Sequence, residues 1–211
     1  MKNKPERIAH VVGKDAGGGV EAIVMNYYRN IDRSRIQYDF FIDEDSTCTK
    51  MKDEIPSLGG RVFMIPPYQK QFAYQKELHR LFTENHYPLV YSHINTLSIF
   101  PLFAAWRAGV PVRVIHNHST AGKGEFKRNL MKYSLRPFAK IFPTHLCACS
   151  RFAGEWMYGK KCMNSGRVTI WQNAIDTSQF AYNETLRNDT RRELNLTNKF
   201  IVGHAGRFMH Q

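Results

Sequence analysis

Two sets of residues in this chain have types and spacings suited to chemistry. The first is the run Gly13-Lys14-Asp15-Ala16-Gly17-Gly18-Gly19, followed by Val20-Glu21-Ala22. Three consecutive glycines let backbone N–H groups approach a ligand closely, and a helix opening directly after them adds a partial positive charge suited to phosphate. Gly17 to Ala22 also satisfies G-x-G-x-x-[GA], with Asp39 about 20 residues on, as a dinucleotide site would have. In that fingerprint the first glycine follows the strand directly, which would make it Gly13 and put Asp15 against the pyrophosphate. A carboxylate there repels a diphosphate, so the loop reads either as a different phosphate contact, such as a sugar-diphosphate, or as a structural turn. The second set is Tyr91-Ser92-His93-Ile94-Asn95 with His116-Asn117-His118-Ser119-Thr120. Their hydroxyl, amide and imidazole groups suit sugar hydroxyls, which makes His93, Asn95 and Asn117 candidate acceptor contacts. Zinc needs three or four converging ligands, and the spacing reveals no such set. No P-loop, G-x-S-x-G elbow or paired-carboxylate pattern is present.

A third feature is electrostatic. Arg128, Lys132, Arg136 and Lys140 recur every four residues. On a helix they form one stripe, with Phe126, Leu130, Tyr133 and Phe138 on other faces. The stripe is either a solvated face or a contact for anionic lipid headgroups or a polyanionic acceptor. Nothing beside it resembles a nucleic-acid-binding motif.

The elements that must position these groups follow from hydrophobic period. Strands are expected at 7–12, 37–42, 61–65, 89–93, 112–115, 145–149 and 168–171. Helices are expected at 20–30, 50–58, 69–86, 96–108, 125–141 and 151–158, with Pro137 kinking or ending the fifth. Alternating apolar strands and amphipathic helices mark an α/β, doubly wound parallel sheet. Such sheets bind ligands beyond the carboxyl ends of their strands, where both sets of residues fall. After Phe180 a polar helix at 185–194 and a fresh strand at 199–205 read as the start of something else. The organisation expected is therefore a domain over 1–180 and an incomplete second one over 181–211.

Composition agrees. The 211 residues include 30 Lys and Arg against 18 Asp and Glu, a formal net charge of +12, with 43% hydrophobic and 23% charged residues. This is globular, and the charge calls for an anionic partner. The most apolar stretch, Ile94 to Trp106, spans thirteen residues with a proline inside, short of the roughly 20 that cross a bilayer. The start has neither an apolar core nor a cleavage site for a signal peptide. Cys48, Cys147, Cys149 and Cys162 lack zinc-finger or C-x-x-C spacing and read as reduced thiols in a cytoplasmic protein.

Three segments together resemble the family 4 glycosyltransferases of the GT-B fold, particularly the branch that builds bacterial exopolysaccharide and capsule. They are Gly17-Gly18-Gly19-Val20-Glu21; Trp171-Gln172-Asn173-Ala174-Ile175-Asp176 with Phe180 four residues later; and Ile201-Val202-Gly203-His204-Ala205-Gly206-Arg207-Phe208. The second departs from the commoner Asn-Gly-Ile-Asp form at Ala174. The resemblance implies a Rossmann-like N-terminal domain that receives the acceptor, followed by the truncated start of a second Rossmann-like, nucleotide-sugar-binding domain. It implies transfer of a sugar from a nucleotide-sugar, with retention and without metal or other cofactor, to a polysaccharide, oligosaccharide or lipid-linked acceptor. It places Gly18, Gly19 and Arg207 against the donor diphosphate, and His118 or His116 near the transferred sugar. The family's next phosphate-binding lysine and its glutamate pair would lie past Gln211, so this fragment is expected to be nearly inactive. The location implied is cytoplasmic, peripheral on the inner face of the membrane. Two other readings remain: a non-catalytic subunit that recruits acceptor or membrane for a separate catalytic chain, and a nicotinamide-dependent sugar-nucleotide enzyme.

Overall fold

The structure is a computed structural model, described over residues 4–14, 18–47, 50–122, 126–204 and 206. The strands are β1 (Glu6–Gly13), β2 (Ile36–Asp43), β3 (Arg61–Ile65), β4 (Leu89–Ser92), β5 (Val112–Asn117), β6 (His145–Ala148) and β7 (Val168–Ile170). All run parallel in one sheet of order β3-β2-β1-β4-β5-β6-β7. The order reverses at β1, which pairs with β2 on one side and β4 on the other. The expected doubly wound, Rossmann-like sheet is present.

Between the strands lie α1 (Gly19–Asn30), α2 (Lys50–Ser57), α3 (Gln71–Asn85), α4 (Ile99–Arg107), α5 (Phe126–Leu135), α6 (Arg151–Tyr158) and α7 (Lys160–Asn164). The expected helix over 96–108 begins as a tight 3₁₀ turn at Asn95–Ser98, and the one over 125–141 ends at Leu135 with a 3₁₀ turn carrying Pro137. Position 125 lies outside the described residues. α7 was not expected, because Gly159, at φ +86, interrupts the helical pattern and starts a new helix.

Right-handed crossovers put α1 and α2 on one face and α3, α4 and α6 on the other. The larger core fills the second face, where Ala9, Val11, Phe41, Val90, Ile115 and Ala148 meet Leu78, Phe82, Leu102, Ala153 and Met157. A smaller core lies under α1 and α2, built from Val12, Val24, Met25, Tyr28, Phe40, Ile42 and Ile55. The second helix meets its strand so tightly at Gly60 that an added Cβ would stand 2.6 Å from Ile55 Cγ2 and 2.9 Å from the Tyr38 carbonyl. No larger residue fits that crossing without shifting backbone.

Asp39, wholly buried in β2, ties three elements together. Its Oδ1 accepts from Arg7 Nε at 2.8 Å, its Oδ2 from Tyr87 Oη at 2.7 Å, and Arg61 closes on both oxygens. Wholly buried and engaged on both oxygens by protein groups, it has no exposed atom to offer a ribose, as the dinucleotide fingerprint would require.

The chain divides into compact units over Met1–Ala174 and Ile175–Gln211. In the second, Asn183 caps α8 (Glu184–Glu193) by accepting from Leu186 N at 2.9 Å, and Asp176 caps the 3₁₀ turn Thr177–Phe180. The strand expected over 199–205 is corrected: its described residues form none. A strand needs a neighbour for its ladder, and this short unit supplies none among its described residues.

Candidate functional site

The histidines come together on the face that α1 covers. Along β1, β4 and β5 alternate side chains point to one face, so Ile8 and His10, Tyr91 and His93, and Val114, His116 and His118 share a surface with Tyr38 and Cys147. Between that surface and Ile23, Val24 and Tyr27 of α1, with Ile31 just beyond its end, is a cavity of about 470 Å³. It has apolar walls at one end and imidazoles at the other, as a site does that binds an uncharged ring by hydrogen bonds.

The imidazoles are linked. His10 Nδ1 lies 3.0 Å from His93 Nε2, and His93 Nδ1 lies 3.1 Å from His118 Nε2. His116 stacks on His118 with ring centroids 3.9 Å apart, and its Nδ1 meets Tyr91 Oη at 3.1 Å. His10 Nε2, His116 Nε2 and His118 Nδ1 are buried with no partner among the described residues. Burial lowers all four: His10 to about 3, against a small opposing pull from Asp39; His116 to about 3, helped by His118; His118 to about 4; and His93 well below its ordinary value. At neutral pH these rings are uncharged, each with one donor and one acceptor. They suit sugar hydroxyls better than phosphates.

The other anticipated residues divide. Asn95, at φ +54, accepts from His118 N at 2.7 Å and Ser119 N at 3.2 Å. It holds the loop that presents His118. Asn117 is corrected: it points to the opposite face, fully buried, with its Nδ2 donating to Ala153 O at 2.8 Å. Strand alternation between His116 and His118 requires this, so it has no access to an acceptor. Gly18 precedes the first turn of α1, whose leading N–H groups have no intrahelical acceptor. A Cβ on Gly18 would approach Glu21 Oε2 to 2.8 Å, while one on Gly19 would meet nothing within 4 Å. Gly17 and Arg207 lie outside the described residues.

In the basic stripe, Lys132 Nζ donates to Thr120 O at 3.0 Å, Lys140 Nζ to Tyr158 O at 3.5 Å, and the Arg136 guanidinium lies over Trp156 at 5.6 Å. Arg128 is exposed. Phe126, Leu130, Tyr133, Phe138 and Ile141 are also exposed, so the segment bears both cations and apolar side chains. No described helix is long and apolar enough to cross a membrane.

One contributor escaped sequence reasoning: His10 sits mid-strand, and its only signal was its period of two with Ile8 and Val12. Asp43, at the carboxyl end of β2, alternates onto the face of Phe41 and does not line the cavity. Its carboxyl is pushed up to about 6 by burial and then by Asp45, and its Oδ1 is buried without a described partner.

The segment after β7 docks on α1. Tyr27 Oη donates to Gln172 O at 2.8 Å, and the Tyr27 and Trp171 rings meet edge to face at 5.9 Å. Trp171, the first residue of that sequence motif, lines the cavity.

Comparison with known proteins places this geometry. The model of Glycosyltransferase Family 4 matches residues 17–179. EpsF of Bacillus subtilis (strain 168), named as a glycosyltransferase, is 33% identical over 214 residues, which cover 99% of this chain and 56% of EpsF. The chain therefore spans little more than half the length of that relative. Among solved structures, Anabaena Alr3699/HepE in complex with UDP-glucose superposes with a TM-score of 0.72 at 17% identity, over 96% of this chain and 53% of its own. A glycosyltransferase from Rickettsia africae ESF-5 gives 0.66 at 10% identity, over 92% and 50%. At such identities the likeness shows the fold, which is the N-terminal Rossmann-like half of the GT-B architecture. With three-quarters of its length matched by one family model, the chain belongs to Glycosyltransferase Family 4.

Proposed function

We propose that this chain is the acceptor-side domain of a retaining glycosyltransferase, taking a sugar from a nucleotide-sugar to a polysaccharide or lipid-linked acceptor in exopolysaccharide or capsule synthesis. The observation that carries the reading is the set of neutral imidazoles gathered at the carboxyl ends of β4 and β5, above the cavity. EpsF, named as a glycosyltransferase, favours the same class of reaction, and the UDP-glucose bound by HepE favours a nucleotide-sugar donor. In the reaction the bond between the anomeric carbon and the diphosphate breaks, the acceptor oxygen takes its place with retention, and the acceptor hydroxyl loses its proton. Negative charge grows on the diphosphate, so donors and cations fixed there lower the barrier most. The leading N–H groups of α1 at Gly18 and Gly19, together with Arg207, are assigned that work. His118, with His116 behind it, contacts the transferred sugar, and His93 and Asn95 hold His118 in place. None of these steps draws on a metal. As a fragment the chain is nearly inactive in this reading, because donor-binding residues lie further along a full-length enzyme.

The test is transfer of labelled sugar from UDP-glucose and related donors to a membrane extract by the chain extended to the length of its relatives. Labelled glycan is expected. If none of these donors labels the extract, while the short chain binds NAD tightly by calorimetry, the nicotinamide reading takes over.

The basic, apolar-studded segment from Phe126 to Ile141 is assigned to the anionic inner face of the cell membrane, where a cytoplasmic, peripheral enzyme would meet a lipid-linked acceptor. Reversing Arg128, Lys132 and Arg136 to Glu is expected to lower co-sedimentation with phosphatidylglycerol vesicles at low salt by tenfold or more. Equal sedimentation of variant and parent would return the stripe to a solvated face.

A further inference from the structure

The same imidazoles have a geometry that sugar binding does not require. His116 lies in β5 and His118 just past its end, two positions on, so both point to one face, and His93 lies just past the end of the adjacent β4 at the same level. One ring nitrogen from each lies within 4.8 Å of the others. Two histidines alternating on a strand with a third from its neighbour form a three-imidazole face of the kind that holds zinc with a fourth position open. Spacing along the chain conceals this set, because the third member lies 23 residues from His116 and joins it only through the pairing of β4 with β5.

The hydrogen bonds select the nitrogens of two rings, and proximity selects that of the third. His93 Nε2 is taken by His10, leaving Nδ1; His116 Nδ1 is taken by Tyr91, leaving the buried and unpartnered Nε2; and His118 Nε2 already faces His93 Nδ1 at 3.1 Å. That separation is close to the edge of a tetrahedron with metal–nitrogen bonds of about 2.0–2.1 Å, which is roughly 3.3 Å. Two of the three rings would therefore have an outer partner to fix tautomer and orientation, His10 for His93 and Tyr91 for His116. The surroundings are apolar, and imidazole favours zinc-like cations over magnesium or calcium.

We propose that His93, His116 and His118 form a binding site for one Zn²⁺, and that Zn²⁺ there excludes the transferred sugar. The second half rests on the glycosyltransferase reading, since the metal would take the Nε2 of His118. The site is then inhibitory, distinct from the metal-free transfer.

The test uses the tag-free chain stripped with chelator. Titration calorimetry with ZnCl₂ should give one site per chain, and Co²⁺ should give the intense visible bands of a tetrahedral ion without a thiolate charge-transfer band. His116→Gln should weaken Zn²⁺ at least tenfold, and Cys149→Ser should leave it unchanged. Binding without saturation at one equivalent, as surface histidines give, overturns the site, and so does a strong thiolate band. These readouts need only the parent chain, so a variant that fails to fold does not decide the matter. Inhibition of the extended enzyme by Zn²⁺, relieved by chelator, is measured separately. Stoichiometric binding without inhibition would keep the metal site and remove its placement at the sugar.

Discussion

Asp39→Ala is expected to destabilise the chain by about 2–4 kcal/mol, the range for breaking a buried charged network one side of which still reaches water. Asp39 is fully buried, whereas the side chains of Arg7 and Arg61 are 27% and 42% exposed. Removing the carboxylate lets the guanidinium groups turn partly to solvent, but the Tyr87 hydroxyl loses its buried acceptor. Burial alone would raise the Asp39 carboxyl, yet hydrogen bonds from Arg61, Arg7 and Tyr87 outweigh it and hold it below the usual carboxylate range. Tyr87→Phe, which removes one donor and leaves both arginines paired, should cost about 1 kcal/mol. Urea unfolding of the three proteins, followed by circular dichroism, measures the difference. If Asp39→Ala unfolds at the same urea concentration as the parent, the network contributes nothing to stability.

Acid should weaken the fold from about pH 6.5 downward, before ordinary carboxylates begin to titrate. An unfolded histidine takes up a proton near pH 6.5, while folded His10 and His116 do so near 3 and His118 near 4. The unfolded state thus binds more protons below 6.5, and stability that is complete above that value falls as pH drops toward 4. At pH 5 each such ring costs about 2 kcal/mol. Those three together cost about 6 kcal/mol, within the whole stability of an ordinary domain, roughly 5–15 kcal/mol, and His93, also lowered well below its ordinary value, acts in the same direction. The groups around them do not offset this: Tyr38 and Tyr91 are raised and stay neutral, as does Cys147, and Asp39 pulls His10 upward only slightly. Asp43 has the opposite sign. Its folded value near 6 means that burying its charge is relieved as pH falls below 6, which returns part of one group's worth. Asp39, held low, contributes its loss only at still lower pH. Urea midpoints in EDTA at pH 7.5, 6 and 5 should fall progressively, and His10→Phe should flatten the slope by about one proton. A midpoint unchanged between pH 7.5 and 5 would show that the rings are not buried as neutral bases.

Much of this arrangement was legible in the sequence, and where it was not the reasons are physical. Strand and helix periods located all seven strands of the sheet and the first six helices to within a few residues, because burial on both faces makes apolar runs such as Val112 to Ile115 unambiguous. Period alone does not say which face a polar residue takes when neighbours of both kinds look alike. Asn117 was therefore grouped with His116 and His118, although alternation sends it to the opposite side. His10 was missed since a polar residue inside an apolar strand carries no local sign of the partner, His93, that it meets 83 residues later. The strand expected after Lys199 shows the converse limit. Its β-forming residues were read correctly as a tendency, but a strand exists only where another offers it a ladder.

The reversal of strand order at β1 also sets a timetable during synthesis. Ala9 pairs with Val90, 81 positions later in the chain. At roughly 5–20 residues per second, a ribosome takes about 4–16 s to cover that stretch. For that interval β1 has only its later neighbour β2 to lean on, and its other edge, with His10 beside it, stays open to any passing strand. The middle of the finished sheet thus begins as a margin, and nascent chains stalled between residues 43 and 89 are those from which aggregates should grow.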